Sequence, residues 1–409
     1  MPGMQEPQHY DVIIVGGGMV GLAMALALIP TGLRLALLDP QPLPLPPESL
    51  RKSLSQPDFD PRVSALTPAS RALLEALGVW QTLAGLRLCP YTDMQVWDAD
   101  GTGSIHFAAA ELHQPCLGYI IENSCVSAVL AEAVQASGKV QIVRDSLANY
   151  SAQSGRQFAT LTSGTELTCK LLIGADGGNS HVRTLAGIAT KEWDTGHRAL
   201  VTTVKTAQNH RHTAWQRFMQ TGPLAFLPLH LPGGAAQQYS SIVWSCVPEL
   251  AAELLALDDT RFAHRLEVAF ESRLGSIETV APRHAFPLWQ KHARDYVQQG
   301  LALIGDAAHT IHPLAGQGVN LGLADVKSLA GALIRAVARG EDVASEQVLS
   351  RYQRERKAAN LGMLLVMEGF KRAFGSDDLH LRWLRNVGLK TADTLAPLKH
   401  AVMKGAMGL

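Results

Sequence analysis

Gly16-x-Gly18-x-x-Gly21 lies between a β-branched apolar run, Tyr10–Val15, and an Ala- and Leu-rich stretch, Met19–Ile29. Glycines at this spacing permit a tight turn and let backbone approach a pyrophosphate closely. The N-terminus of the helix that follows turns N–H groups and partial positive charge toward the same place. A second apolar run, Leu33–Leu38, ends at Asp39, whose carboxylate would accept hydrogen bonds from ribose hydroxyls. Strand, glycine turn, helix, strand and acid make a complete βαβ unit and a dinucleotide site, with a purely structural glycine turn as the alternative. This motif alone does not distinguish FAD from NAD.

Two later segments make that distinction. Gly174-Ala175-Asp176-Gly177-Gly178-Asn179-Ser180-His181-Val182-Arg183 follows the apolar strand Leu171–Gly174. Gly305-Asp306-Ala307-Ala308-His309 follows another, Leu301–Ile304, and continues through His312, Pro313, Gly316-Gln317-Gly318 and Asn320. Together they resemble the paired Asp-Gly and Gly-Asp signatures of the single-component flavin aromatic hydroxylases, the class that contains p-hydroxybenzoate hydroxylase. The resemblance implies that Asp306 holds the ribityl or ribose part of FAD and that Pro313-x-x-Gly316-x-Gly318 lies against the isoalloxazine ring. Elementary physics agrees. A glycine-lined loop admits a flat ring, and a helix starting near Gln317 aims its positive end at a ring edge that turns negative on reduction. Asp176 and Asp306 as plain turn formers at strand ends are the alternative, and His309 reads as a residue that holds its loop together. No second Gly-x-Gly-x-x-Gly follows a strand, so NAD(P)H or another electron donor is expected to dock transiently, the Asp176 segment being one place for it.

The resemblance extends to the ubiquinone-biosynthesis hydroxylases. It is carried by Arg62-Val63-Ser64-Ala65-Leu66-Thr67, Leu117–Asn123, Trp215-Gln216-Arg217-Phe218, Gly222–Leu229, Gly305–Asn320 and the closing Ala406–Leu409. It implies oxidation of a polyprenylated phenol or benzoquinol ring, with O2 as co-substrate carried as a flavin C4a-hydroperoxide. Ala109–Tyr119 and the ending resemble the branch that performs the last hydroxylation, on a methoxy-methyl-benzoquinol, while other segments suit its paralogues equally. By motif, Arg62 and Asn123 fall where the family contacts FAD, and Gln317, Gly318 and Asn320 beside the isoalloxazine. A surface salt bridge for Arg62 and a helix cap for Asn123 or Ser124 are the alternatives. Trp215, Arg217, Phe226 and Phe286 are candidates to face the substrate, with packing as the other reading. The flavin is the reactive group, so no catalytic acid or base is named.

The elements that must position these residues give an α/β chain: a Rossmann-type FAD-binding domain, an interleaved antiparallel-sheet substrate domain and a helical C-terminus. The expected division assigns 1–90, 121–197 and 291–375 to the FAD-binding domain and 91–120 with 198–290 to the substrate domain. Alternating segments in Ala199–Lys205, Ala225–Leu229 and Ser241–Trp244 support the sheet. Residues 376–409 form a basic amphipathic segment. From Leu379 to Leu409, Arg382, Arg385, Lys390, Lys399 and Lys404 stand against Asp393 alone, among Trp383, Leu384, Val387 and other apolar residues. This mixture suits contact with anionic lipid or with partner proteins, a packed amphipathic helix being the alternative. The 409 residues carry 36 basic and 36 acidic groups, which advertises no nucleic-acid partner. Five scattered cysteines have no metal-ligand spacing, so no metal is expected and reduced thiols in the cytoplasm are. Between Val12 and Leu38 the only charge is Arg34, but three glycines, Pro30 and Gly32 break the run, which excludes a membrane span there. The expected setting is cytoplasmic, peripheral to the inner membrane, within a ubiquinone-biosynthesis assembly. An NAD-dependent dehydrogenase, a hydroxylase of a small soluble phenol and a non-catalytic flavin-fold subunit are the rival readings.

Overall fold

The computed structural model describes residues 8–48, 56–99, 103–232, 237–310, 318–374 and 396–408. Its first sheet runs Val297–Gln298, Leu301–Leu303, Leu171–Gly174, Val12–Val15, Leu35–Leu38 and Val140–Val143. All neighbours pair in parallel except the first two. The strands Val12–Val15, Leu35–Leu38 and Leu171–Gly174 are buried at every position, which is why they read as unbroken apolar runs. Helix Met19–Leu28 packs against Asn123–Ser137 and Gly318–Ala338. Its N-cap, Gly18, provides no side-chain bond to the N–H groups of the first turn, leaving them for another partner.

The second sheet takes strands from two distant stretches. Asp93–Asp98 and Ser104–Ala108 join Thr190–Thr206, Thr213–Phe218, Leu224–Pro228, Tyr239–Cys246, Ile277–Val280, His284–Ala293 and His309–Thr310. Thr213–Phe218 is the junction, parallel to Asp93–Asp98 and antiparallel to Leu224–Pro228. One face packs Trp97, Leu224, Phe226, Ile242 and Trp244 against helices Pro248–Ala256 and Asp259–Phe270. Those helices interrupt the stretch expected to be mostly sheet. Proline at the first position of one and Asp258, which accepts the Arg261 N–H at 2.8 Å, start them. The other face packs Ala214, Ala225 and Leu227 with Ala65, Cys89 and Ile120. The latter three belong to a small sheet of Val63–Leu66, Gly118–Glu122 and Cys89–Tyr91 that leads into the FAD-binding half.

Two local expectations are corrected. Helix Asn123–Ser137 begins at Asn123, with Glu122 as an N-cap that forms no side-chain bond. The Asn123 amide oxygen instead accepts the Ser64 hydroxyl at 2.6 Å, so neither Asn123 nor Ser124 caps the helix. At the C-terminus, helix Ala396–Met407 lies on the body of the protein. Met403 and Met407 are buried, and Lys399 Nζ meets Glu111 Oε1 at 2.8 Å. For that stretch the packed amphipathic helix is the right reading. Arg382, Arg385, Lys390 and Asp393 lie outside the described residues. No described helix is long and apolar enough to cross a membrane.

Candidate cofactor and substrate site

Three motifs meet because three neighbouring parallel strands end side by side. Gly174 is in register with Val15 on one side and Leu303 on the other. The chain therefore leaves the carboxyl edge at Gly16, Ala175 and Ile304, the place where open α/β sheets bind ligands. Gly16 has φ +112°, and a Cβ there would stand 2.3 Å from the Ala175 carbonyl oxygen. A Cβ on Gly21 would stand 1.9 Å from the Gly16 oxygen, so only glycine lets the helix approach the turn. Gly18 differs: nothing lies within 4 Å of its Cβ position. It opens on a cleft of about 680 Å³ lined also by Gly16, Asp39, Asp145, Ala175 and Asp176. A backbone cradle bounded by glycine and a helix N-terminus without a side-chain cap fits a pyrophosphate.

Asp39 organises this turn from the next strand. Its Oδ2 accepts the Gly17 N–H at 2.6 Å and its Oδ1 the Gln41 N–H at 2.8 Å. Each oxygen keeps a lone pair for a ribose hydroxyl. Asp176 is engaged with its own loop, accepting the Ser180 hydroxyl at 2.5 Å and the His181 and Val182 N–H groups at 2.7 and 3.0 Å. Arg183 then ties the two later motifs together, donating to the carbonyls of Gly178 and Ala307, each at 2.8 Å. The Asp145–Leu147 wall of the cleft had no signal among the glycine motifs. Asp145 accepts from Thr162, Ser146 and Ser163, and the side-chain bonds from Ser163 and Thr162 lead in lowering its pKa to about 2.

Beneath the third motif lies a charge cluster that sequence reading missed. The Asp325 side chain is 0% exposed and sits on helix Gly318–Ala338. Its Oδ2 accepts the Gly305 N–H at 2.9 Å and faces His309 Nε2 at 2.6 Å; its Oδ1 accepts Arg356 Nε at 2.8 Å. Burial alone would raise its pKa, but His309 and Arg356 overcome this and hold the carboxyl below its ordinary value. His309 thus holds the loop. Asp306 is solvent-accessible yet walled by protein, and that desolvation raises its pKa, with His309 opposing. It is the one acid of this loop left facing outward.

Asn320 braces this region: its amide nitrogen donates to the Ala65 carbonyl at 2.8 Å, and its amide oxygen accepts from Thr67 N and Ser70 Oγ at 3.1 and 2.7 Å. Gly318 begins that helix with open space at its Cβ position. His312, Pro313, Gly316 and Gln317 lie outside the described residues. Arg62 is exposed, and its carbonyl accepts the Asn123 N–H at 3.0 Å, which places these two residues side by side.

The substrate candidates divide by strand parity. Trp215 pairs with Phe226 and Arg217 with Leu224, on the face covered by helices Pro248–Ala256 and Asp259–Phe270. Phe226 stacks on Phe270 at 3.7 Å, and Arg217 is bound to the Ala269 carbonyl at 2.5 Å and to Glu271 at 2.9 Å. Trp215, Arg217 and Phe226 are packing residues, which corrects the expectation that they meet substrate. Phe286 is different: 42% exposed, it pairs with Ala199 on the opposite face, where Ala214 and Ala225 look toward the FAD-binding half.

Comparison with known proteins agrees with this geometry. A family described as an FAD binding domain matches residues 9–364. The Escherichia coli (strain K12) protein named 3-demethoxyubiquinol 3-hydroxylase is 40% identical over 404 residues, covering 98% of this chain and 99% of that protein. The Xenopus tropicalis protein named ubiquinone biosynthesis monooxygenase COQ6, mitochondrial, is 36% identical, covering 97% and 93%. The crystal structure of p-nitrophenol 4-monooxygenase PnpA from Pseudomonas putida DLL-E4 shares the fold, with a TM-score of 0.75 at 19% identity and 98% and 99% of the two chains covered. With its three motifs gathered at one sheet edge and relatives of this kind along its whole length, the chain belongs to the FAD-dependent monooxygenase family of ubiquinone biosynthesis.

Proposed function

We propose that this enzyme hydroxylates the ring of a polyprenylated benzoquinol, and that its step is the one for which its Escherichia coli relative is named, on a demethoxyubiquinol. The observation that carries the reading is 40% identity sustained over nearly the full length of both chains. FAD, when bound, supplies the electron store through which O2 is activated, and NAD(P)H or another donor refills it. The chain's own residues bind and orient. The Gly16–Gly21 turn and the first turn of helix Met19–Leu28 hold the pyrophosphate, Asp39 and Asp306 hold the sugar alcohols, and Arg62 and Asn123 stand at the edge of the site. Pro313, Gly316, Gln317 and Gly318 are the residues proposed to meet the isoalloxazine ring. The sheet face bearing Ala214, Ala225 and Phe286 closes the substrate side and excludes water, which otherwise diverts activated oxygen to peroxide.

Chemically reduced enzyme mixed with O2 and a short-chain demethoxyubiquinol is expected to yield a product one oxygen heavier, and a small soluble phenol is expected to yield little. Equal turnover of both would contradict the prenylated-substrate reading.

Such a substrate resides in a bilayer, so we place the protein at the cytoplasmic face of the inner membrane, within an assembly of ubiquinone-biosynthesis proteins. The basic residues Arg382, Arg385 and Lys390, set among apolar ones, are the proposed lipid contact. Changing all three to Glu is expected to abolish co-sedimentation with phosphatidylglycerol vesicles while flavin content holds; undiminished co-sedimentation would refute that contact.

A further inference from the structure

The strand Thr213–Phe218 turns alternate side chains to opposite faces of its sheet. Trp215 and Arg217 take the helix-covered face, so Ala214, Gln216 and Phe218 take the other. Register places Gln216 opposite Ala225 on one neighbour and Val96 on the other, and Ala225 opposite Val243 beyond. Gln216 thus stands on a floor of small or branched apolar side chains. The same face packs against Ala65, whose carbonyl holds Asn320 at the start of helix Gly318–Ala338. The face and the ring end of the cofactor site are therefore joined through a single strand.

Gln216 is 6% exposed, and its amide forms no hydrogen bond, ion pair or ring contact with any described residue. With no protein partner, the amide keeps only the water that its small exposed area admits, and a ligand group can replace that water. The fully buried polar atoms without partners among the described residues are different: the indole nitrogens of Trp97, Trp215 and Trp244, Arg217 Nε, and the hydroxyls of Ser240 and Ser241. All of these are sealed from any approaching molecule, and the three indoles lie on the helix-covered face. Gln216 keeps accessible surface, and its neighbours Val243 and Met94 are only half-buried, so the face is open beside it.

We infer that Gln216 reads the substrate, its amide hydrogen-bonding an oxygen substituent of the aromatic ring. A primary amide both donates and accepts, so it can pair with a phenolic hydroxyl or a ring ether oxygen, and it rejects a ring that offers only carbon. This rests on the proposed aromatic-ring hydroxylation and adds the group that selects an oxygenated ring. It also assigns a role to the parity that the aromatic-rich Trp215-x-Arg217 pattern conceals.

The test uses full-length, FAD-loaded protein with Gln216→Leu, and Gln216→Met as a second variant of similar length should leucine fail to fold. The expected result is a roughly 10–100-fold loss of kcat/KM on a short-chain demethoxyubiquinol. More peroxide should form per product, with unchanged flavin content and a Tm equal to or above that of the unsubstituted protein. A purely structural role would lower Tm, and that result overturns the inference. Unchanged kcat/KM with unchanged coupling overturns it equally. If the unsubstituted enzyme does not hydroxylate the quinol at all, the proposed function is what fails.

Discussion

Gly21→Ala protein is expected to purify colourless or nearly so, with FAD affinity reduced by roughly 100-fold or more. The added methyl group would stand 1.9 Å from the Gly16 carbonyl oxygen, so helix and glycine turn must separate. Separation displaces the first-turn N–H groups from the position in which they meet the pyrophosphate. Gly18→Ala separates folding from binding, because nothing lies within 4 Å of its Cβ position. That variant should keep the thermal stability of the flavin-free protein and still bind FAD poorly, since its methyl group occupies the cleft. Titration of each flavin-free variant with FAD, followed by flavin fluorescence, checks both. Wild-type affinity in Gly21→Ala would mean that the turn is structural only.

The second large effect is on stability. Asp325→Asn is expected to cost about 3–5 kcal/mol, because it strands the Arg356 guanidinium in a site where Asp325 is 0% exposed. Asparagine keeps one acceptor oxygen but turns the other into an NH2 group, so it cannot serve Gly305 and His309 on one side and Arg356 on the other; the loop carrying Asp306 loosens and FAD binding weakens. Adding Arg356→Gln should recover part of the loss, since removing both charges leaves neither unpaired. The sign with pH follows from the lowered carboxyl pKa. The charged form stabilises the fold at every pH above the ordinary aspartate value of about 4, and the contribution disappears as pH falls through the lower folded value. Urea unfolding of the unsubstituted protein should therefore show an acid limb that is shallower in Asp325→Asn. Equal stability of the two proteins at neutral pH would contradict the role given to Asp325.

Much of the cofactor half was legible because its signals are local. A glycine forced by a 1.9 Å approach, an acid at a strand end and a buried four-residue strand each leave a mark within a few positions. Asp325 and Arg356 leave none: they meet Gly305 and His309 from two helices, and no short spacing announces the encounter. The hairpin Leu147–Gln153 with Arg156–Leu161 carried a readable turn at Ser154-Gly155, φ +49° and +75°, but the first strand is largely exposed and only the second alternates buried with less buried positions. The substrate face was misread for a physical reason. Trp215, Arg217 and Phe226 are the large side chains of their strands, and size alone favours them as ligand contacts. Which parity faces the ligand is decided by helices Pro248–Ala256 and Asp259–Phe270, which cover one side of the sheet, and a strand's own sequence holds no record of that cover.

The most direct test of the central claim is a single turnover under 18O2, with the flavin chemically reduced beforehand and a short-chain demethoxyubiquinol present. Mass spectrometry of the product should show one added oxygen carrying the heavy label, and the spent protein should release FAD. A product that takes its oxygen from water, or a protein that consumes O2 only to make peroxide, would contradict the account.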